Sequence, residues 1–148
     1  MSAVEEPKRL RVELITPEGP VFVDDARMVV VPGKAGELGV LPRHIPLIAQ
    51  LKPGETRVRT VDDQWLTFAT GAGYFKVQHD RASVLVESAL PAASIDADRA
   101  RSDLEAAQAR LAELQASGEE SPDLRRVQRD IADAENRLKV AGGGPSSG

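Results

Sequence analysis

The sequence predicts a mainly β plus α chain in two parts, a β-sandwich or barrel over residues 1–91 and an antiparallel two-helix hairpin over 92–141. Three observations carry that prediction. Short apolar segments of period two, separated by turn signals, fill the chain up to Pro91. Beyond Pro91 the apolar period lengthens to that of a helix, twice, with "SGEESP" breaking the two runs apart. The last stretch, "GGGPSSG" at 142–148, has the composition of a flexible tail.

The strands follow in order. "RLRVEL" sets Leu10, Val12 and Leu14 on one face and Arg9, Arg11 and Glu13 on the other, and "TPEG" closes it. "ARMVVV" runs into "PGKAGELG", and "IPLIAQL" into "KPG". "TRVRTV" alternates, "DDQ" reads as a hairpin turn, and "WLTFAT" follows. "GAG" leads into "YFKVQ", and "HD" turns the chain into "ASVLVE". Strands at this spacing build an antiparallel sandwich or barrel. Aromatics are only 3% of the chain, so its core must be aliphatic.

In the second part, Leu104, Ala107, Leu111 and Leu114 recur at helical spacing. Leu124, Val127, Ile131, Ala134, Leu138 and Ala141 repeat the pattern. Ser94 is the expected N-cap of the first helix, with Asp96 and Asp98 near its positive end. Ser121 followed by Pro122 is the expected start of the second. Two helices of about 20 residues are each roughly 30 Å long at ~1.5 Å per residue. A seam this narrow and alanine-rich buries little area, so the hairpin is marginal alone. It must dock on something or alternate between docked and undocked states. Arg125, Arg126 and Arg129 cluster early in the second helix, either as a solvated face with an Arg126–Asp130 pair or as a basic patch for an acidic partner.

Composition narrows the chemistry. No cysteine is present, which excludes disulfides, thiolate metal sites and cysteine nucleophiles. A net charge of −4 argues against broad nucleic-acid binding. "MSAVEEPKRLRVELI" lacks the apolar core of a secretory leader, and no run approaches the ~20 apolar residues of a membrane span. No direct membrane insertion is expected. Gly33–Lys34 lacks the rest of a Walker A loop, and Gly71–Ala72–Gly73 has Lys76 where a dinucleotide fingerprint needs glycine. Those glycines mark a bend or bulge between strands. His79, beside Asp80, reads as a surface turn residue.

"GELGVLPRHIPL", residues 36–47, holds the other histidine, His44, between Pro42 and Pro46. His44 alone is a candidate general base or lone ligand, but no nucleophile or carboxylate stands at a recognisable spacing. The alternative is a docking loop, preshaped by the two prolines and by Gly36 and Gly39. Such a loop meets a partner at low entropic cost. A free-standing sandwich module with a coiled-coil dimerisation tail also fits these periods.

"GELGVLPRHIPLIAQLKPG" resembles the signature of the epsilon subunit of bacterial F-type ATP synthases, the counterpart of mitochondrial delta. "LRVELITPEGPVFVDDARMVVVPG" and "FATGAGYFKVQHDRASVLVESA" resemble its flanking strands, and "SIDADRARSDLEAAQARL" its first C-terminal helix. The resemblance spans nearly all of 8–141 in order. It implies a ten-stranded β-sandwich followed by two helices, and a rotor subunit of the central stalk without catalytic residues or a resident metal. The implied partners are the gamma subunit, the ring of c subunits and, with the hairpin extended, the catalytic beta subunits. The implied location is peripheral, on the cytoplasmic side of the cell membrane, in a complex that couples proton transport to ATP synthesis.

By position, Glu37 matches a loop acid facing the c ring and His44 a histidine near that interface, with Gly36 and Arg43 completing the docking set. Some bacterial members bind ATP through "IDxxRA", matched here by "IDADRA" with Ile95, Asp96 and Arg99, and Arg137 matches another basic contact. Ala106 and Asp133 stand where ATP-binding members carry arginines, so weak or no ATP binding is implied. In the family, the extended helices block ATP hydrolysis near acidic segments of the catalytic subunits. Arg125, Arg126 and Arg129 are the residues here that match such contacts in charge.

Overall fold

A computed structural model describes residues 9–118 and 122–142. Its contacts divide between Pro91 and Ala92 into two compact units.

Among the described residues, the first unit holds nine strands, β1 (Leu10–Thr16), β2 (Gly19–Gly33), β3 (Gly36–Val40), β4 (Leu47–Leu51), β5 (Gly54–Thr60), β6 (Trp65–Thr70), β7 (Gly73–Gln78), β8 (Arg81–Val86) and β9 (Ala89–Pro91). They are hydrogen-bonded in the order β1-β8-β7-β4-β2-β5-β6-β9, with β3 added on β2 and β1 also paired with β2. β2 is shared between the two layers. Its first half pairs with β1, and its second half with β3 and β5. All neighbours run antiparallel except β1 and β8, which are parallel.

Alternation places the core. Leu10, Val12 and Leu14 are fully buried, as are Val29, Val31, Val58, Phe75 and Val84. Thr56 and Thr70, the two buried polar residues among those described, hydrogen-bond to each other at 2.8 Å. That pairing removes the penalty of enclosing two hydroxyls among aliphatics.

Nine strands stand where ten were expected, because β2 continues as one strand of 15 residues. A register shift between Ala26 and Met28 leaves Arg27 unmatched against β5 and lets β2 serve both layers. A second difference concerns residues 36–40. They form β3, paired with β2 from Val29–Val40 to Gly33–Gly36, so the irregular loop is confined to 41–46. Gly36 takes a positive φ of 139° at the hairpin turn. Gly39 serves packing instead, since a Cβ there would stand 2.8 Å from the Met28 methyl. Of the expected bend glycines, Gly73 lies inside β7, and a Cβ on it would collide with the backbone of Leu85 and Val86.

The second unit starts with a 3₁₀ turn at Ala92–Ser94, followed by α1 (Ala97–Ser117) and α2 (Pro122–Gly142). Ser94 ends the 3₁₀ turn, and Asp96 is the N-cap of α1, accepting a hydrogen bond from the Arg99 N–H at 3.1 Å. Gly118 closes α1 in a left-handed cap. Pro122 opens α2 as expected, while the Ser121 cap lies outside the described residues. Gly142, expected to begin the tail, is the last residue of α2. Leu104, Ala107, Leu111 and Leu114 are half-buried along α1, and Val127 and Ala134 are buried along α2. The seam is as thin as the pattern implies.

Candidate functional site

The docking residues named from sequence fall into two patches, separated by β3. Glu37 near its start and the loop beyond Val40 stand about 10 Å apart along the strand, at roughly 3.3 Å per residue.

The first patch is built around Arg57. Glu37 projects from β3 with a side chain 66% exposed, and its carboxylate lies 3.3 Å from the Arg57 guanidinium. Arg57, on β5, is only 19% exposed. It also meets Glu55 at 3.6 Å and lies over the Trp65 ring, 5.6 Å from its centroid. Two carboxylates therefore share one cation on an aromatic shelf. Glu37 is held from one side and open to a partner on the other. Gly36 sits beside it with open space where a Cβ would be.

The second patch is the loop 41–46. Arg43 takes a left-handed φ of 66°, and its backbone N–H donates to the Asp80 carboxylate at 2.6 Å. The His44 ring is half-buried, and its Nδ1 lies 2.7 Å from the Ile45 carbonyl oxygen. A carbonyl only accepts, so Nδ1 carries the hydrogen and donates. His44 joins no ion pair among the described residues, and no carboxylate orients its ring as a catalytic base requires. Leu41 and Ile45 project from the loop, 56% and 75% exposed. His79 sits in the turn between β7 and β8, as the sequence implies, with a left-handed φ of 52°.

The nucleotide residues are dispersed. Asp96 is committed to capping α1, and Arg99 is exposed one turn on. Ile95 is half-buried just before the cap. Arg137 is paired with Asp103 of α1 at 3.3 Å. It lines a cleft of about 400 Å³ between the helices with Ala106, Arg110, Asp103, Asp130 and Asp133. Three carboxylates and two guanidinium groups line it, so the cleft offers no excess of positive charge. The cleft does include Ala106 and Asp133, the two positions singled out as departures.

Arg125, Arg126 and Arg129 are exposed on α2, on the side away from Val127 and Ala134. The expected Arg126–Asp130 pair does not form among the described residues. Sequence reasoning passed over Arg57, Trp65, Asp80 and Arg110. Arg57 reads as one outward residue of an alternating strand, and nothing in the order of residues ties it to Glu37. Asp80 was read only as a turn former.

A sandwich that bears a loop tied down at Arg43 and an exposed, ion-paired carboxylate, followed by a thin helical pair, defines a two-unit chain of sandwich and helical hairpin. Residues 9–92 match the family described as ATP synthase, Delta/Epsilon chain, beta-sandwich domain, and residues 94–142 match its long alpha-helix domain. The chain belongs to the delta/epsilon chain family of ATP synthase. It is 41% identical over 136 residues to the ATP synthase epsilon chain of Halalkalibacterium halodurans, covering 90% of this chain and 97% of that one. It is 39% identical over 135 residues to the epsilon chain of Bacillus subtilis, covering 91% and 98%. In fold it is similar to a chain in the cryo-EM structure of the Euglena gracilis mitochondrial ATP synthase (OSCP/F1/c-ring), with a TM-score of 0.70 at 19% identity over 92% of this chain and 84% of that one. A chain of the Tetrahymena thermophila mitochondrial central stalk and c-ring gives a TM-score of 0.52 at 17% identity, covering 63% and 74%. No described helix is long and apolar enough to cross a membrane.

Proposed function

We propose that this chain is the epsilon-type rotor subunit in the central stalk of a bacterial proton-translocating ATP synthase. Family membership across both units, in order, carries this reading. The sandwich docks on the gamma subunit and the c ring, with Glu37 and the 41–46 loop as contact points. It transmits torque and contributes no reacting group. Its place is peripheral, on the cytoplasmic side of the cell membrane. Glu37→Arg or His44→Ala should lower the protons pumped per ATP hydrolysed in reconstituted vesicles while the melting temperature of the chain stays put. Normal pumping in both variants removes the docking role.

The helical pair acts as a brake on ATP hydrolysis. Its thin seam supports this reading, since two packings of such an element differ by only a few kcal/mol. Arg125, Arg126 and Arg129 face acidic segments of the catalytic beta subunits when the helices extend. ATP, the one regulatory ligand implied, binds weakly or not at all, given the acidic cleft around Arg137. Removing residues 92–148 should raise ATP hydrolysis by the assembled complex and spare synthesis. Reversing the three arginines should do so in part, less at high salt. If the truncated complex hydrolyses no faster, the helices are a passive strut.

A further inference from the structure

Among the described residues, three of the four non-glycine residues with positive φ, Arg43, His79 and Asp80, gather in one corner of the sandwich. A left-handed backbone is unfavourable for residues with a Cβ and persists only where its surroundings hold it. What holds this corner is Asp80. Its carbonyl accepts the Arg11 N–H at 2.7 Å, which fixes the turn on β1. Its carboxylate accepts the Arg43 N–H at 2.6 Å, across 37 positions of sequence. Three segments meet on one residue: β1, the turn between β7 and β8, and the loop 41–46.

We propose that Asp80 is the positioning residue of the docking loop. Its charge-assisted bond to the Arg43 amide fixes the loop at its centre, between Pro42 and Pro46, and so presents Leu41, His44 and Ile45 in one conformation. This assignment rests on the docking reading of the loop. Asp80 itself is exposed, and its role is to hold the loop rather than to meet the partner. Without its carboxylate the loop samples other conformations, and the ordering cost falls on the binding step. A backbone amide left at φ 66° without its acceptor has little to keep it there.

Two variants separate the bond from the backbone. Asp80→Gly accepts the positive φ at no steric cost and removes the acceptor. Asp80→Asn keeps both the tolerance of left-handed backbone and a side-chain oxygen. Each full-length variant is measured for hydrogen exchange at the Arg43 amide by NMR, and for affinity toward ATP synthase depleted of this subunit. Asp80→Gly should speed exchange at Arg43 and weaken binding about tenfold, and Asp80→Asn should restore most of both. Unchanged exchange at Arg43 in Asp80→Gly overturns the assignment and leaves the docking reading standing. Faster exchange with unchanged affinity overturns the docking role of the loop, and the assignment with it.

Discussion

The two units of this chain spend apolar residues in opposite ways. The sandwich closes more than a dozen side chains into one cluster, from Leu10 to Val86, many with no accessible surface. Among the described residues, the helical pair, with two helices of 21 residues, buries only Ala100, Val127, Ala134 and Val140. Burial scales with stability at ~25 cal/mol per Å², so the sandwich is the stable body and the helices the labile one. One chain thus joins a densely packed body to a thinly packed one.

The comparison breaks first at Phe75. Phe75→Ala should cost the sandwich about 3–5 kcal/mol, read as a collapse of its denaturant midpoint. If the sandwich survives with its midpoint intact, its core is not the source of its stability. Gly73→Ala should follow at about 1–3 kcal/mol, because the added methyl meets the backbone of β8 and no side chain can yield there. In the helices, Asp96→Ala should cost about 1 kcal/mol through the lost cap, visible as reduced helical circular dichroism with the sandwich transition unmoved. Arg137→Ala should be smaller still, about 0.2–1 kcal/mol, since its pair with Asp103 is partly exposed to solvent. A loss as large as that of Phe75→Ala would place the helical unit's stability in its charges rather than its seam.

Much of the architecture was legible because it is periodic. The alternation in "RLRVEL" and the helical spacing from Leu124 to Ala141 report on burial directly. β3 was not legible: "GELGV" has glycine at two of five positions, and its pairing to β2 follows from the hairpin rather than from its own side chains. β2 hides a different signal, since a bulge at Arg27 continues a strand where pattern expects a break. The cap moved from Ser94 to Asp96 because both are good caps, and only the 3₁₀ turn at 92–94 decides between them. The site was least legible. Glu37 and the His44 loop stand out in sequence, but Arg57, which pairs with Glu37, and Asp80, which holds the Arg43 amide beside His44, are brought to them only by the fold.

The parallel pairing of β1 with β8 bears on how the chain is made. Arg11 faces Arg81 and Ile15 faces Leu85, so β1 is completed by nearly the last strand of its unit. Until residue 86 emerges, β1 has only β2 beside it, and one edge of the nascent sheet is unpaired. Contacts between such distant segments slow folding, because loop closure precedes any gain from pairing. A chain cut short between Gln78 and Arg81 is left with an open, aliphatic edge, the kind of species that aggregates or recruits chaperones. The sandwich therefore closes only once residue 86 is free to pair, and its completion waits on a single late strand.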